Sequence, residues 1–229
     1  MAKFHFVEDY ERHVAHLIAT QPIDEAMSLA VGGGYDEVGS IERDIMRWAG
    51  LKDGMLVIDL GCGSGRLAHA LGQSVKIDLL GVDIVQALLD YAATKCPPNY
   101  KFVLNHTLTI PAKDDCADFV ASFSVFTHLL HSETYLYMED IRRVLKPGGK
   151  LVLSFLEFAN PDHWRAFMSE VDGKRAAANA PLNTLIERPV IEKMAAALGY
   201  RLERFIDGSE APWGGRPLGQ ATAILSKPA

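Results

Sequence analysis

Residues 57–66 read Val57-Ile58-Asp59-Leu60-Gly61-Cys62-Gly63-Ser64-Gly65-Arg66, an apolar run that passes directly into three glycines at alternate positions. The apolar run begins at Met55 and is typical of a buried strand, and the pattern from Arg66 to Leu71 favours a helix. Glycines between a strand and a helix N-terminus remove side chains that would block a ligand from the backbone. We therefore expect a strand, a ligand-binding loop and a helix, with a plain tight turn as the alternative.

The glycine spacing and the acid before it argue against a dinucleotide ligand. The dinucleotide fingerprint G-x-G-x-x-G requires glycine at position 66, where this chain has Arg66. Asp59 would repel a pyrophosphate and attract a cationic ligand such as a sulfonium amino acid. The sequence thus disfavours a nicotinamide-dependent oxidoreductase. Tyr91 and Lys95 have the spacing of a Y-x-x-x-K pair, but they lie on the helix after the second expected strand, far from where such chemistry belongs.

Short apolar runs alternate with amphipathic helices along the rest of the chain. Further strands are expected at 78–83, 100–104, 117–123, 150–155, 200–206 and 220–227, and helices at about 85–95, 133–146 and 189–199. Ser132 is the expected N-cap of the helix over 133–146, and Lys146-Pro147-Gly148-Gly149 the expected turn after it. This alternation predicts βαβ units with a parallel sheet, whose ligands bind at the carboxyl ends of the strands.

The first fifty residues are expected to form a helical segment in front of this core. Tyr10 to Ala19 and Ile41 to Trp48 carry apolar residues at helical spacing, and Gly32 to Gly34 separate them. Tyr35 and Asp36 follow the glycine run, a pattern that suggests a lid folding over the ligand with Tyr35 lining it. An ordinary loop is the alternative.

Composition favours one globular domain over residues 1–229, with 51–229 as its core. Of the 229 residues, 48% are hydrophobic and 23% are charged. The net charge of −6 and the lack of any Lys/Arg run disfavour a nucleic-acid partner. The three cysteines include no C-x-x-C pair, no apolar run has the ~18 residues of a membrane span, and residues 1–9 turn acidic before a signal-peptide core forms. We expect a cytoplasmic protein without membrane contact.

The stretch 57–66 closely resembles motif I of the class I S-adenosylmethionine-dependent methyltransferases, and the resemblance extends from about residue 35 to 227. It implies a three-layer Rossmann-like α/β fold whose seven-stranded, mostly parallel sheet ends in an antiparallel strand. It also implies that S-adenosylmethionine is the cofactor and S-adenosylhomocysteine the product. Asp59, Gly61, Cys62 and Gly63 would contact this cofactor.

The resemblance assigns the other cofactor-binding residues by their places after later strands. Asp83, at the end of the second strand, would hold both ribose hydroxyls with its two oxygens, and Ile84 would pack on the adenine. Asp78 is the competing acid, but it lies at the start of that strand. Many family members have an acid for the adenine amino group where this chain has Asn105 and His106, either of which can accept a hydrogen bond. The resemblance also places Phe123 and Ser124, after the fourth strand, beside the methionine part.

Methyl transfer is an in-line displacement in which the protein mainly aligns the reactants, and an amine or hydroxyl acceptor also needs a base. His128 is the first candidate base, and His131 would share its face on one helical turn. These two histidines also permit a metal site with Glu133 or Asp36, but no H-E-x-x-H pattern supports it and no metal is expected.

Few features of the sequence indicate which molecule accepts the methyl group. Residues 158–187 are expected to form an insertion on the substrate side, with His163 and Trp164 as weaker acceptor contacts. We expect a small-molecule acceptor methylated on oxygen, nitrogen or carbon, and a monomer or homodimer. A non-catalytic protein that binds S-adenosylmethionine on the same scaffold is the alternative.

Overall fold

A seven-stranded sheet runs through the computed structural model, which describes residues 7–176 and 183–229. The strands are β1 (Leu56–Leu60), β2 (Asp78–Asp83), β3 (Lys101–Leu104), β4 (Ala117–Ser122), β5 (Leu145–Phe155), β6 (Arg201–Ile206) and β7 (Ala221–Ser226). They lie in the order β3-β2-β1-β4-β5-β7-β6. All pairs among the first five strands are parallel, and β7 is antiparallel to both of its neighbours. The predicted mostly parallel sheet with an antiparallel last strand is confirmed.

Eight helices accompany the sheet in the part of the chain that the structure describes. They are α1 (Val7–Thr20), α2 (Ile23–Ala30), α3 (Tyr35–Trp48), α4 (Arg66–Gly72), α5 (Gln86–Lys95), α6 (His131–Val144), α7 (Pro161–Arg175) and α8 (Arg188–Leu198). A single 3-10 turn, Phe126–His128, follows β4. Across the described residues, no helix combines the length and the apolar character needed to cross a membrane.

The central strands are buried on both faces because successive side chains point to opposite sides of the sheet. On β1, Val57 packs in a cluster with Ile45 of α3 and Leu71 of α4. The next residue, Ile58, packs in the opposite cluster with residues of α6 and α8 such as Met138 and Ile191. The protein therefore has the three helix–sheet–helix layers that the alternation of strands and helices predicts.

The start of α6 differs from the sequence prediction. The helix begins at His131, so Ser132 lies in its first turn and is not the N-cap. Leu130 holds the cap position in an extended conformation, and its N–H donates to the Glu133 carboxylate at 2.8 Å. The prediction was wrong because a glutamate reaching back to the cap residue replaces the serine as the capping group.

The predicted turn at Lys146-Pro147-Gly148-Gly149 lies within the irregular start of β5, with Gly148 at a φ of +79°. The helix α6 ends at Val144, and Leu145 already pairs with Ala117 of β4 across a register irregularity. The Gly148 N–H donates to the Lys227 carbonyl at 2.8 Å, and the Lys227 N–H donates to the Gly149 carbonyl at 2.9 Å. Because these backbone groups pair beyond the end of β7, residues 146–149 belong to an irregular start of β5.

Two helices, α2 and α7, have no counterpart in the sequence prediction. Pro22 directly precedes α2 and has an extended backbone conformation, so α1 and α2 are separate helices. At α7 the Asn160 side chain accepts a hydrogen bond from the Asp162 N–H at 2.9 Å, with Pro161 as the first helical residue. That Asn-Pro signal was present in the sequence. Most of the Ala-rich segment 175–180 lies outside the described residues.

A buried ion pair fixes α3 to the loop between β1 and α4. The Arg66 Nε and Nη2 atoms donate to Glu42 Oε1 at 3.0 and 2.6 Å, and Glu42 is only 1% exposed. The Arg66 Nη1 atom also donates to the Val31 carbonyl at 2.7 Å. A Cβ on Gly39 would lie 2.6 Å from the Arg66 carbonyl oxygen, so glycine is required for the close approach of α3. The N-terminal segment is thus docked on the glycine loop.

We expect Arg66→Met to lower the free energy of unfolding by about 3–5 kcal/mol, because it leaves the Glu42 carboxylate buried without its partner. The double variant Glu42→Leu/Arg66→Met should recover a large part of this loss. Urea denaturation measures both. Arg12→Met is the control, since the Arg12–Asp9 pair is exposed and its loss should change stability by less than about 0.5 kcal/mol. Equal stability of Arg66→Met and the control would disprove the role of the pair.

Candidate active site

The carboxyl ends of β1 and β2 meet at the glycine loop, residues 61–65. The Gly61 and Cys62 N–H groups both donate to the Val82 carbonyl, at 2.8 and 3.2 Å, which holds the loop beside the end of β2. The Gly63 N–H donates to Asp83 Oδ2 at 2.8 Å. The loop and Asp83, which the sequence analysis assigns to one ligand site, therefore lie in direct contact.

The glycines of this loop are required by its packing as well as by its backbone. Gly61, Gly63 and Gly65 have φ values of +71°, +54° and +83°, which favour glycine. A Cβ on Gly61 would lie 2.1 Å from Val125 Cγ2, and one on Gly63 would lie 2.5 Å from Val31 Cγ1. The sequence analysis attributed the glycines to the approach of a ligand, whereas the structure shows that neighbouring segments of the protein also need the space.

Asp83 is buried at the end of β2, with only 7% of its surface exposed. Its Oδ1 atom accepts from the Ile84 and Val85 N–H groups at 2.7 and 3.0 Å, and its Oδ2 atom accepts from Gly63. Burial raises the pKa of this carboxyl, and the three N–H donors oppose that rise. Because each carboxylate oxygen has two lone pairs, Oδ2 retains acceptor capacity for a ligand hydroxyl.

Asp59 is the most unusual group of the site. It is 3% exposed, and its Oδ2 atom accepts no hydrogen bond from the residues that the structure describes. Burial raises the pKa of Asp59 well above its ordinary range, the nearby Glu42 and Asp83 carboxylates raise it further, and Arg66 opposes them. A buried carboxylate without a partner is costly to ionise, so Asp59 provides a place where a cation would be stabilised.

The structure distinguishes the two residues proposed for the adenine. The Asn105 amide donates to the Thr107 and Thr109 carbonyls, and its oxygen accepts from the Thr107 N–H and hydroxyl, so it is used within its own loop. The His106 Nε2 atom lies 2.8 Å from the Ile84 carbonyl, to which it donates. In the neutral ring this bond makes Nδ1 the acceptor. His106 therefore keeps an acceptor atom beside Ile84.

Tyr35 contacts the glycine loop from the side of α4 and α5. Its hydroxyl donates to the Ser64 carbonyl at 3.0 Å, and its ring lies 5.9 Å from that of His69 and 6.2 Å from that of Tyr91, between ring centroids. Tyr35 is the first residue of α3, where a flexible lid was expected. The Ser64 hydroxyl also donates to the Met27 carbonyl at 2.9 Å, which adds α2 to the same contact.

The helices α1 and α2, and not the start of α3, cover the end of β2. Val14 of α1 and Met27 of α2 form a buried cluster with Leu88 of α5. The Tyr10 hydroxyl donates to the Ala30 carbonyl at 2.5 Å. Burial raises the pKa of Tyr10, and the charge of the nearby Asp83 raises it further. No motif in the sequence marks Tyr10 as a site residue.

Phe123 and Ser124 follow β4 beside the glycine loop. Phe123 is 7% exposed and packs in the cluster on the α3 and α4 side of the sheet. Ser124 has a φ of +59°, and its N–H donates to Ser154 Oγ at 2.7 Å. The next residue, Val125, fills the space beside Gly61. Both predicted residues are thus next to the loop that would bind the cofactor.

The expectation that His128 and His131 share one helical face is wrong. His128 ends the 3-10 turn, and Leu129 and Leu130 are extended, with ψ values of 146° and 153°. His131 then begins α6, with its Nε2 atom 3.4 Å from the Leu185 carbonyl. The side chain of Leu129 is buried at this point. The described residues contain no group of three or more His, Cys, Asp or Glu side chains suited to a metal ion.

His163 is a structural residue. It is 2% exposed, its Nδ1 atom accepts from the Glu157 N–H at 3.0 Å, and its Nε2 atom donates to the Gly219 carbonyl at 2.9 Å. Since both ring nitrogens are used, the prediction that His163 contacts an acceptor is not supported by its geometry. Trp164 is 46% exposed and contacts Phe158 and Phe167, with ring centroids 6.2 and 5.3 Å away.

The end of the expected insertion, residues 158–187, returns to the site. The Thr184 N–H donates to the Thr127 carbonyl at 2.7 Å, and the Ile186 N–H donates to the Leu156 carbonyl at 2.8 Å. These bonds place residues 184–186 between the end of β5 and the turn that carries His128. Residues 177–182 lie outside the described part of the chain.

Comparison with known proteins agrees with this geometry. Residues 58–153 match the family model of a methyltransferase domain. The 2-phytyl-1,4-naphtoquinone methyltransferase of Nostoc sp. (strain PCC 7120) is 27% identical over 177 residues, which cover 72% of each chain. The demethylmenaquinone methyltransferase of Staphylococcus aureus is 30% identical over 124 residues, 52% of this chain and 49% of that one. An uncharacterized methyltransferase of Schizosaccharomyces pombe is 33% identical over 97 residues, which cover 42% of this chain and 37% of that one. The chain thus spans less than half of the length of these last two relatives.

Solved methyltransferase structures share the fold over nearly the whole chain. The magnesium protoporphyrin IX methyltransferase from Synechocystis PCC 6803, solved with bound S-adenosylhomocysteine, superimposes with a TM-score of 0.65 at 16% identity and covers 98% of this chain and 97% of that one. The TehB-like S-adenosylmethionine-dependent methyltransferase from Corynebacterium glutamicum gives a TM-score of 0.60 at 20% identity, with 96% and 97% covered. The predicted Rossmann-like fold is confirmed.

We expect Asp59→Asn to stabilise the ligand-free protein at neutral pH by about 1–3 kcal/mol, the usual penalty of an unsatisfied buried group. The pKa of Asp59 is raised in the folded state, so folding favours its protonated form and stability is lost as the pH rises through that raised pKa. The stabilisation should therefore shrink as the pH falls. Urea denaturation at a series of pH values measures it.

Asp78→Asn is the matched control, because Asp78 is exposed at the opposite end of β2. It should change stability by less than about 0.5 kcal/mol at every pH. A destabilised Asp59→Asn variant at neutral pH would show that the carboxylate is already stabilised in the ligand-free protein.

Proposed function

Since the chain belongs to the class I S-adenosylmethionine-dependent methyltransferases, we propose that it transfers the methyl group of S-adenosylmethionine to a small-molecule acceptor. The observation that carries the proposal is the buried Asp59 Oδ2 atom, which has no donor among the described residues and lies beside the glycine loop. The Glu42 and Asp59 carboxylates interact here with one base, Arg66, and the Asp83 carboxylate adds a further negative charge beside Asp59. A cofactor that carries a sulfonium and an ammonium group matches this excess of negative charge.

Four of the predicted cofactor residues have atoms suited to their roles. Asp83 would hold the ribose through its remaining acceptor capacity, and Asp59 would stabilise the cationic part. His106 would orient the adenine by accepting from its amino group at Nδ1, while Ile84 packs on the ring. When bound, the cofactor supplies an electrophilic methyl group with a neutral thioether as its leaving group.

His128 is the residue that we propose to accept a proton from the acceptor. It lies at the end of the turn after β4, and residues 184–186 pack along that turn. An imidazole near neutrality takes a proton from a hydroxyl or amine more readily than any other side chain in this region. His131, close to the Leu185 carbonyl, is the second candidate on the same side.

An apolar, aromatic acceptor is the class that we favour. The substrate-side insertion carries Phe158, Trp164 and Phe167 in mutual contact, and Phe158 and Trp164 are each 46% exposed. Aromatic rings offer flat apolar contact area with few rotatable bonds. Two relatives are named for quinone acceptors, which are planar and apolar. Aromatic stacking and the net charge of −6 together favour such a molecule over a nucleic acid.

We expect S-adenosylhomocysteine to bind the intact chain with micromolar affinity and Asp83→Ala to weaken it about 100-fold. One hydrogen bond from a ribose hydroxyl to the buried Asp83 carboxylate contributes up to about 3 kcal/mol, which corresponds to that factor. Isothermal titration calorimetry measures both constants, and Asp78→Ala, at the other end of β2, should bind like the wild type. If NAD raised the melting temperature and S-adenosylhomocysteine did not bind, the methyltransferase proposal would be wrong.

We expect His128→Gln to lower kcat by a factor of about 10²–10⁴, the usual contribution of a general base, while the affinity for S-adenosylhomocysteine changes less than 2-fold. The assay follows formation of S-adenosylhomocysteine with a panel of reduced naphthoquinones and phenols. His131→Gln tests the second candidate in parallel. An unchanged kcat in His128→Gln would exclude it as the base. Tight cofactor binding without turnover on any acceptor of the panel would favour the non-catalytic alternative.

A further inference from the structure

Ser124 adopts a backbone conformation that its side chain disfavours. Its φ of +59° lies in the left-handed region, where a Cβ comes too close to the backbone. Among the described residues only Asp115 shares this property without being glycine. Aspartate tolerates the conformation better than most residues do, whereas serine requires support from its surroundings. Ser124 lies two residues after the end of β4, and the next residue, Val125, packs on Gly61 of the glycine loop.

Ser154 and Gln220 supply that support. Ser154, fully buried on β5, accepts the Ser124 N–H at 2.7 Å and donates its hydroxyl to Gln220 Oε1 at 2.6 Å. The Gln220 Nε2 atom donates to Ser124 Oγ at 3.0 Å. The Ser124 carbonyl accepts from the Thr127 hydroxyl at 3.0 Å. Three side chains from the ends of β4, β5 and β7 thus form a closed ring of hydrogen bonds that fixes Ser124.

The conformation of Ser124 decides where its neighbours lie. Val125 follows it and packs on Gly61 so closely that a Cβ on Gly61 would be 2.1 Å from Val125 Cγ2. Phe123 precedes it and is buried against the α3 and α4 side of the sheet. If Ser124 left the left-handed region, the peptide groups on both sides of it would rotate and Val125 would leave Gly61. The ring therefore determines the position of the wall beside the glycine loop.

Gln220 is itself held in place from the far edge of the sheet. The Gly219 N–H, just before it, donates to the Gly208 carbonyl at 2.9 Å, and the buried His163 donates to the Gly219 carbonyl. His163 has its second nitrogen bonded to the Glu157 N–H after β5. The connection between β6 and β7 thus reaches Ser124 through a continuous set of hydrogen bonds.

We propose that Ser154 and Gln220 are positioning residues for methyl transfer. They hold Ser124 in its left-handed conformation and thereby keep Phe123 and Val125 where the cofactor site needs them. The inference rests on the proposed function, because it concerns binding of the same cofactor. Neither residue is placed in contact with the cofactor, and both act through Ser124.

A double-mutant cycle tests this proposal. Ser154→Ala should weaken S-adenosylhomocysteine binding at least 10-fold in calorimetry, because Ser124 loses the acceptor for its N–H. The same substitution in a Ser124→Gly background should change affinity less than 2-fold, since glycine adopts a φ of +59° without support. The cycle compares each pair of variants, so any direct contribution of the Ser124 hydroxyl cancels. A purely structural role for Ser154 would give the same loss in both backgrounds and would overturn the proposal.

Thr222→Val is the matched control on β7. Thr222 is 1% exposed, and its hydroxyl makes no hydrogen bond with the described residues, so affinity should stay within 2-fold of the wild type. Gln220→Met is the second variant if Ser154→Ala does not fold. It removes both the acceptor for the Ser154 hydroxyl and the hydrogen-bond partner of the Ser124 side chain, so it should also weaken binding, and Ser124→Gly should again remove the effect.

Amide hydrogen exchange over residues 123–128 tests the same proposal without a ligand. Ser154→Ala should speed exchange there at least 10-fold in the Ser124 background and less than 2-fold in the Ser124→Gly background. Unchanged exchange in Ser154→Ala would overturn the proposal. If the wild type failed to bind S-adenosylhomocysteine, the proposed function would fail, while faster exchange would still show that Ser154 holds Ser124.

Discussion

Three carboxylates and one guanidinium are buried together where β1 and β2 meet the glycine loop. Arg66 gives its short hydrogen bonds to Glu42, so the other two carboxylates must be stabilised differently. Asp83 accepts three backbone N–H groups, whereas the Oδ2 atom of Asp59 accepts none from the described residues. The unequal sharing of Arg66 has two consequences. The pair with Glu42 fixes α3, and the Asp59 carboxylate is left with a requirement for positive charge. The protein carries a local cost that a cationic ligand would remove.

The same region explains why the glycine loop must be thin. It lies between the connection from α2 to α3, represented by Val31, and the turn after β4, represented by Val125. A side chain at Gly61 or Gly63 would push one of these segments away, and with it either the N-terminal helices or the wall formed by the β4 turn. The position of the glycine loop therefore depends on both segments. The same small region of the protein determines both the charge and the shape of the candidate site.

Sequence patterns predicted the parts of this arrangement that depend on local chemistry. The sheet follows from the alternation of short apolar runs and helices, and the places of Asp59 and Asp83 follow from strand ends. The pairing of Arg66 with Glu42 could not be predicted, because the two residues lie 24 positions apart and Glu42 belongs to no motif. The expectation for His128 and His131 assumed a continuous helix, whereas Leu129 and Leu130 between them are extended. Asn105 and His106 could be separated only when their hydrogen-bond partners were known.

The acceptor side is harder to predict than the cofactor side for a physical reason. The proposed cofactor contacts come from the ends of adjacent strands, so their spacing in the sequence reflects their spacing in the sheet. The proposed acceptor side instead combines the turn after β4 with residues 184–186, which arrive from a separate segment through backbone hydrogen bonds. Such bonds place no constraint on residue type, so they leave no pattern in the sequence. Ser124 joins the two sides: its N–H bonds to β5, its side chain bonds to Gln220, and its neighbour packs on the glycine loop. The strained backbone of Ser124 therefore lies between the glycine loop and the turn that ends at His128.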